Sequence, residues 1–439
     1  LTIINAHSSI NHLMREVVIT GLGIVSPIGV GREQVWDAIS ARRSGVAPLP
    51  KLAAAGWLAP WGGEVRDFDP KQFIQPRKSI KVMSREIQLA SAAAEMAWQD
   101  AGLAEATIDP ERFGVIGAAG LLYCELDELV QPFKSWVNHE QFDIEQWSRL
   151  AMGEMYPLWM LKYLPNMPAC HVGIRYDARG PNNTIALGDV SSLVAVAEAA
   201  EMIRRDLADV MIVGGTGSRI NVTDLSWHAG ARVARGDARD DAGDRAADPA
   251  TLCRPFDLTR SGMVYGEGAA QFVLENRDHA QRRGVRPLAR IAGSASRCEG
   301  AAESQQPTGD AIRRAIRAAL AAAELESFHV GHVNAHGNST IEDDRAEAQA
   351  IRAALGDVPV TAPKSFFGNL GHGSGAVELA VSLVSLTQGV IPPTLNYHAP
   401  DLDCPVNVVT EPRAVESRTF VKLNHNTTGQ ATALVVTAF

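Results

Sequence analysis

Cysteine is scarce in this 439-residue chain. Its five copies, Cys124, Cys170, Cys253, Cys298 and Cys404, are widely spaced and include no Cys-x-x-Cys pair. An odd set of scattered thiols excludes a disulfide framework and fits a reducing compartment, so free thiols and a cytoplasmic location are expected. No His/Cys cluster has metal-ligand spacing, which excludes an obvious metal centre. An excess of positive charge is missing too. The net charge is −9, which argues against a nucleic-acid partner but leaves room for one acidic partner on a local basic patch. No apolar run reaches the ~20 residues of a membrane span. Residues 1–14 lack a charged segment followed by an apolar core, so they carry no secretory signal. They are expected to be a lead-in, disordered or foreign to the native chain.

What is present is globular. Hydrophobic residues make up 46% and charged residues 21%, and the length suits one large α/β body or two fused ones. The stretch from Thr184 to Ala195 (TIALGDVSSLVA) organises the rest. It reads as a short strand, a tight turn at Gly188 and a buried helix running to Ile203. Gly188 suits a turn needing an unusual backbone angle. Asp189, Ser191 and Ser192 suit a helix N-terminus, capping its free N–H groups and meeting its dipole. This elbow geometry exposes a nucleophile in several enzyme classes. Here its exposed position holds Asp189.

Around it, strands are expected at Arg15–Ser26, Phe113–Gly117, Asp209–Gly215, Gln271–Glu275, Leu288–Gly293 and Pro359–Ala362, with one ending at Asn334 and two closing the chain. Helices are expected at Glu33–Ala41, Ser84–Gly102, Gly309–Ala323, Asp343–Leu355 and Gly375–Thr387. In Ser84–Gly102, Ile87, Ala90, Ala94 and Ala97 share one face. Gly21, Gly23 and Gly29 lack the dinucleotide spacing, and that fingerprint also needs an acidic residue ending a second strand. Leu121–Pro165 mixes Trp136, Trp147 and Trp159 with acids including Glu140, and reads either as a partner interface or as a helical excursion with its own core. Arg232–Asp248 reads as a solvated loop. The element order repeats in two similar halves, 15–275 and 276–439, with no linker. Ala-rich helices covered on both sides imply a layered α/β sandwich.

His336 and His372 each follow a turn and are flanked by glycine. Together with Asp189 they are expected to share one pocket, where neutral imidazoles donate hydrogen bonds to a developing enolate or oxyanion. Lys364 follows a strand, and Glu347 lies on the helix after His336. A buried Lys364–Glu347 pair would set the local charge, the other reading being a surface pair.

These motifs resemble a family. Val17–Gly23 (VVITGLG), Arg254–Asp257 (RPFD), Gly266–Ala269 (GEGA), His336–Thr340 (HGNST), Lys364-Ser365 and Gly371-His372 with Gly375-Ala376 are similar to elongating β-ketoacyl-acyl carrier protein synthases. The resemblance runs from about Arg15 to the end. It implies the thiolase-like α/β/α/β/α sandwich and substrates carried on the phosphopantetheine of an acyl carrier protein, with no bound cofactor. In that family a turn cysteine takes the acyl chain, and two histidines bind the extender thioester during decarboxylation. By resemblance His336 and His372 are those histidines, and Lys364 and Glu347 the family's lysine and glutamate. Asn338, Ser339 and Thr340 fall in the pantetheine-contacting segment, with Asn338 in place of a threonine.

Two departures stand out. Asp189 falls where the family has its cysteine. A thiolate at a helix N-terminus is a strong nucleophile, whereas an acyl-aspartate would be an anhydride, less stable than the thioester that formed it. Cys170 lies well before the turn and reads as a small buried hydrophobe. The family's glycine-phenylalanine closing loop is here Asn424–Gln430 (NHNTTGQ). The backbone N–H of Thr428, beside Gly429, is expected to survive as an oxyanion donor, while the aromatic gate is gone. The resemblance is closest to the cysteine-lacking chain-length factor, a ketosynthase β-subunit that forms a heterodimer with a cysteine-bearing ketosynthase. The alternatives are a malonyl-carrier-protein decarboxylase or atypical acyl-transfer enzyme using His336 and His372, and an acyl-binding module without turnover.

Overall fold

The structure is a computed structural model. It describes residues 15–439 except 58, 121–123, 135–136, 139–140, 229–232, 235–247 and 301–305. Residues 1–14, Trp136, Glu140 and most of the charged run after Arg232 therefore lie outside the described residues.

The N-terminal strand β1 (Val17–Ser26) is buried along its whole length. Helix α1 (Arg32–Ser40) follows, then α2 (Arg85–Asp100), whose N-terminus is capped by the Ser84 hydroxyl. The expected face of α2, with Ile87, Ala90, Ala94 and Ala97, is fully buried. Strand β2 (Phe113–Ala118) leads through an irregular helical excursion to α3 (Met167–Tyr176), the edge strand β3 (Asn182–Ile185) and the buried helix α4 (Ser191–Arg204). Strands β4 (Val210–Ser218) and β5 (Glu267–Asn276) complete the first set.

The second set begins with β6 (Ala289–Cys298) and α5 (Asp310–Ala322). It continues through β7 (His332–Asn334), α6 (Ile341–Leu355), β8 (Pro359–Thr361), the short α7 (Lys364–Phe367) and α8 (Ser374–Thr387). It ends with β9 (Asn407–Val408), β10 (Thr419–His425) and β11 (Gln430–Ala438).

Strand pairing shows the two similar sets. The order runs β9-β8-β7-β10-β11-β6-β1-β5-β4-β2-β3. From β1 outward the pairings are antiparallel to β5 and β4, then parallel to β2 and β3. From β6 outward they are antiparallel to β11 and β10, then parallel to β7 and β8. The sets meet where Val18 and Ile19 pair with Arg290 and Ala289. Helices α4 and α8 lie between the sets, α2 and α3 cover one outer face, and α5 with α6 behind it covers the other. This is the expected α/β/α/β/α sandwich. Its middle layer has no wet side, so its helices must be apolar nearly all round.

Close approach of helix to strand is bought by small residues. A Cβ on Gly23 of β1 would lie 1.9 Å from the Ala93 carbonyl oxygen of α2, and one on Gly21 2.3 Å from that of Ala97. The excursion contains helices Leu126–Lys134, Ile144–Glu154 and Trp159–Tyr163. Tyr163 packs into a small core with Ile74, Met83, Ile87, Ala119 and Met167, while Ile144, Tyr156 and Met160 are exposed. Among the described residues no helix is long and apolar enough to cross a membrane. No group of three or more His, Cys, Asp and Glu among them is placed to hold a metal ion.

Replacing Gly23 by alanine forces α2 off β1. We expect Gly23→Ala to cost about 1–3 kcal/mol or more, the range for overpacking, measured by urea unfolding.

Candidate functional site

Strand β3 runs into a single 3-10 turn, Gly188–Val190, which opens α4. Gly188 takes φ +63, the left-handed region glycine reaches at little cost. The turn therefore forms as expected, but the elbow residue is not exposed: Asp189 keeps only 8% of its accessible surface. Nor does its carboxylate cap α4, whose N-terminus has no side-chain cap. Ser191 accepts from the Leu187 N–H and donates to the Gly188 carbonyl. Ser192 accepts from the Ala376 N–H of α8.

The Asp189 carboxylate has other partners. Arg219, just past β4, donates from Nη2 to Oδ1 at 2.8 Å, and Asn369 donates from Nδ2 to Oδ2 at 3.1 Å. His336 Nε2 lies 3.8 Å from Oδ2. Burial pushes this carboxyl up, but Arg219, Lys364 and the Asn369 amide outweigh it and hold it below the ordinary value of 3.8. Asp189 is a locked anion.

His336 follows β7 on a turn that Gly337 makes at φ +48. Its Nδ1 faces Lys364 Nζ at 3.0 Å and Asn424 Nδ2 at 2.9 Å. An ammonium and an amide nitrogen only donate, so Nδ1 is the acceptor and the proton sits on Nε2, toward Asp189. Burial, reinforced by Lys364, holds His336 well below 6.5, so it is neutral. Behind it, Glu378 of α8 accepts from Lys364 and, at 2.6 Å, from Lys422 of β10. Asn424 also donates to Glu378, at 3.1 Å. Burial brings the Lys422 ammonium down to about 8.

Several expectations need correction. The partner of Lys364 is Glu378, not Glu347. Glu347 instead accepts from the backbone N–H groups of His336 and Gly337 at 2.7 and 2.8 Å, and lies 3.8 Å from His425 Nε2. It fixes the His336 turn. His372 sits in the turn before α8 and packs on Gly120, where a Cβ would come within 2.0 Å of its ring. Its ring makes no hydrogen bond among the described residues, and burial pushes it down to about 4. His372 still feels the charges of Arg219 and Asp189, while the side chain of that glycine-rich link that hydrogen-bonds Asp189 is Asn369. The imidazole packed on His336 is His425, with ring centres 4.5 Å apart.

The other expected binding residues are largely committed within the protein. Asn338 accepts from Asn369 at 2.8 Å and donates to Asp343 at 3.3 Å. Ser339, at φ +63, accepts from the Arg254 N–H at 3.0 Å. Thr340 is buried, and its hydroxyl has no hydrogen-bond partner among the described residues. The Thr428 and Gly429 N–H groups donate to the side chain and the carbonyl of Asn426 at 3.1 and 3.2 Å. The expected free oxyanion donor at Thr428 is thus spent inside its own loop. Asn426 also donates to the Leu187 carbonyl at 3.2 Å, which ties that loop to the elbow.

Sequence reasoning missed Arg219, Asn369, Glu378 and Lys422, and met Asn424 and His425 only as part of the polar closing loop. For Glu378 and Lys422 a signal existed. Each is a lone charge in an apolar run, and such a charge implies a buried partner.

The fold and this site define a thiolase-like ketosynthase architecture. The chain belongs to the beta-ketoacyl synthase family: residues 14–280 match its N-terminal domain and 288–398 its C-terminal domain. It is 33% identical to the oxytetracycline polyketide putative beta-ketoacyl synthase 1 of Streptomyces rimosus, covering 97% of this chain and 98% of that one. It is 34% identical to the tetracenomycin polyketide synthase ketoacyl synthase alpha subunit of Streptomyces glaucescens, with 91% of each covered. A beta-ketoacyl synthase from Burkholderia phymatum superposes with a TM-score of 0.84 at 27% identity, over 97% of this chain and 100% of that one. The ishigamide ketosynthase/chain length factor superposes with a TM-score of 0.81 at 28% identity, with the same coverage.

The ion pair at the elbow makes a signed prediction. Asp189 has a folded-state pKa below its unfolded value of 3.8, so its contribution is present above that value and is lost as pH falls through the folded-state pKa. Asp189→Asn strands Arg219 in the interior and is expected to cost about 3–5 kcal/mol near neutral pH. Denaturant unfolding at several pH values should show the gap to wild type closing only below about pH 4.

Proposed function

We propose that this chain is a non-condensing ketosynthase subunit of the chain-length-factor type, the heterodimer partner of a cysteine-bearing ketosynthase. It would serve type II polyketide or fatty-acid-type assembly, with acyl groups delivered on the phosphopantetheine of an acyl carrier protein. The observation carrying this reading is the state of Asp189. It stands at the elbow where the family resemblance puts the acyl-accepting cysteine, and Arg219 and Asn369 hold it as a carboxylate. Such a group is neither an acyl acceptor nor a ready base, because its low pKa leaves it little appetite for a proton. Both amide hydrogens of Asn369 are also committed, to Asp189 and to Asn338.

One solved relative is a ketosynthase/chain length factor. Another is described as a type II polyketide synthase acyl-carrier protein in complex with its ketosynthase; it superposes with a TM-score of 0.80 at 27% identity. Strand β3, paired among the described residues only with β2 and exposed at Asn182 and Asn183, leaves a sheet edge that a partner's strand can extend. One observation favours a second reading, malonyl-carrier-protein decarboxylation: the His336 Nε2 proton still faces the elbow.

Native mass spectrometry of the tagged chain from its own host decides between them. A one-to-one complex with a cysteine-bearing ketosynthase is expected, and a homodimer alone counts against the subunit reading. The isolated chain should release no carbon dioxide from malonyl-carrier protein above background. Release that disappears in His336→Asn would install the second reading. We further expect Asp189→Cys to yield a thiol with a pKa below the ordinary ~8.5, through Arg219 and the helix N-terminus. The pH dependence of its alkylation by iodoacetamide measures this.

A further inference from the structure

The elbow pocket is built as an anion receptor whose anion is part of the chain. Three donors from three separate elements converge on one carboxylate: Arg219 Nη2 at 2.8 Å, Asn369 Nδ2 at 3.1 Å and, further off, His336 Nε2 at 3.8 Å. Each is positioned by contacts that do not involve Asp189. Asn369 is held by its own Oδ1, which accepts from the Gly371 N–H at 2.8 Å, and by its bond to Asn338. His336 is held by Lys364 and Asn424. The Arg219 side chain lies along Gly371, where a Cβ would stand 3.1 Å from its Nε. A donor set fixed in advance of its ligand loses little entropy on binding. The Asp189 side chain keeps 11% exposure, so the site is nearly but not wholly closed to solvent.

We propose that this pocket is a receptor for a small carboxylate, that Asp189 is its built-in ligand, and that this occupancy bars the carboxylate of a malonyl-type extender while leaving neutral acyl chains unopposed. The receptor itself stands on the geometry; naming the excluded ligand as an extender rests on the function proposed above. An arginine, an amide and a neutral imidazole suit a planar monocarboxylate, since the guanidinium and amide address its two oxygens separately.

Asp189→Gly in the full chain, together with any co-purified partner, empties the receptor. Its unfolding temperature is followed in Hepes buffer against sodium acetate, with sodium chloride as the ionic-strength control. Acetate should raise it saturably with a millimolar midpoint, chloride should not, and the wild-type response should be weaker by about tenfold, because only an empty site gains stability from its ligand. Asp189→Gly combined with Arg219→Met should lose the acetate response, again by about tenfold, since the charged donor is gone. Equal responses in wild type and Asp189→Gly, or an undiminished response in the double variant, overturn the proposal. Should Asp189→Gly not fold in chloride, refolding yield becomes the readout: recovery specific to acetate supports the receptor, and equal yields in acetate and chloride overturn it. Association with a cysteine-bearing ketosynthase is measured on the same preparations. Its absence counts against the subunit reading and leaves the pocket result standing.

Discussion

One carboxylate, Glu378, holds the floor of the elbow pocket together. It is fully buried on α8 and joins Lys364 from α7, Lys422 from β10 and Asn424 from the end of that strand. Two ammonium groups against one carboxylate leave an excess positive charge in a dry interior, where an unanswered ion costs several kcal/mol. Two further anions answer it. Lys364 acts on Asp189, and Glu347 acts on Lys422. The carboxylate at the elbow thus belongs to a charge network that spans both strand sets, with Arg219 as its own partner. The same network sets the tautomer of His336. The hydrogen bonds of Lys364 and Asn424 satisfy the buried oxygens of Glu378 whether or not the chain performs chemistry. Their presence is therefore no argument for turnover.

The layered fold was legible in the sequence because burial leaves a plain mark. The Ala-rich runs of α2, α4 and α8, their stops, and the glycine at the elbow turn all follow from local chemistry. The site was legible in part. Asp189 and His336 stood out as polar residues at turns after strands. Their partners did not, because Arg219 and Asn369 reach Asp189 across 30 and 180 residues of chain, and spacing says nothing about such contacts. Lys364 after a strand and Glu347 on the helix after His336 read as a pair, yet α6 presents Glu347 to backbone amides while α8 brings Glu378 to the lysine. Nothing marks Asn369 in the glycine-rich link beside His372, because no pattern reveals the path that carries its amide to Asp189. The burial of Asp189 was missed for the same reason: Arg219 and the loop at Asn426 close over the elbow from distant parts of the chain.

The closing loop shows how a small region can change its task without disturbing the frame. Residues Asn424 to Gln430 begin on a buried strand and end on one, so their ends are fixed. Between them, Asn426 takes up the N–H groups that a tight turn would otherwise offer outward, and reaches across to Leu187. The loop becomes a self-satisfied strap over the elbow. Its polarity costs little because the Asn426 side chain takes up the N–H groups of Thr428 and Gln430 and the Thr428 hydroxyl.

Helix α8 carries a consequence for how this chain can vary over generations. Every residue from Ser374 to Leu386 is buried, so the helix has no neutral face on which substitutions can accumulate unnoticed. A change of even one methylene is felt in such packing, and a second change must then compensate it. Drift is accordingly pushed outward, into the excursion before α3 and the loops that close the pocket. In a lineage of such chains, new specificities would be sampled at the rim while the middle layer stayed nearly frozen.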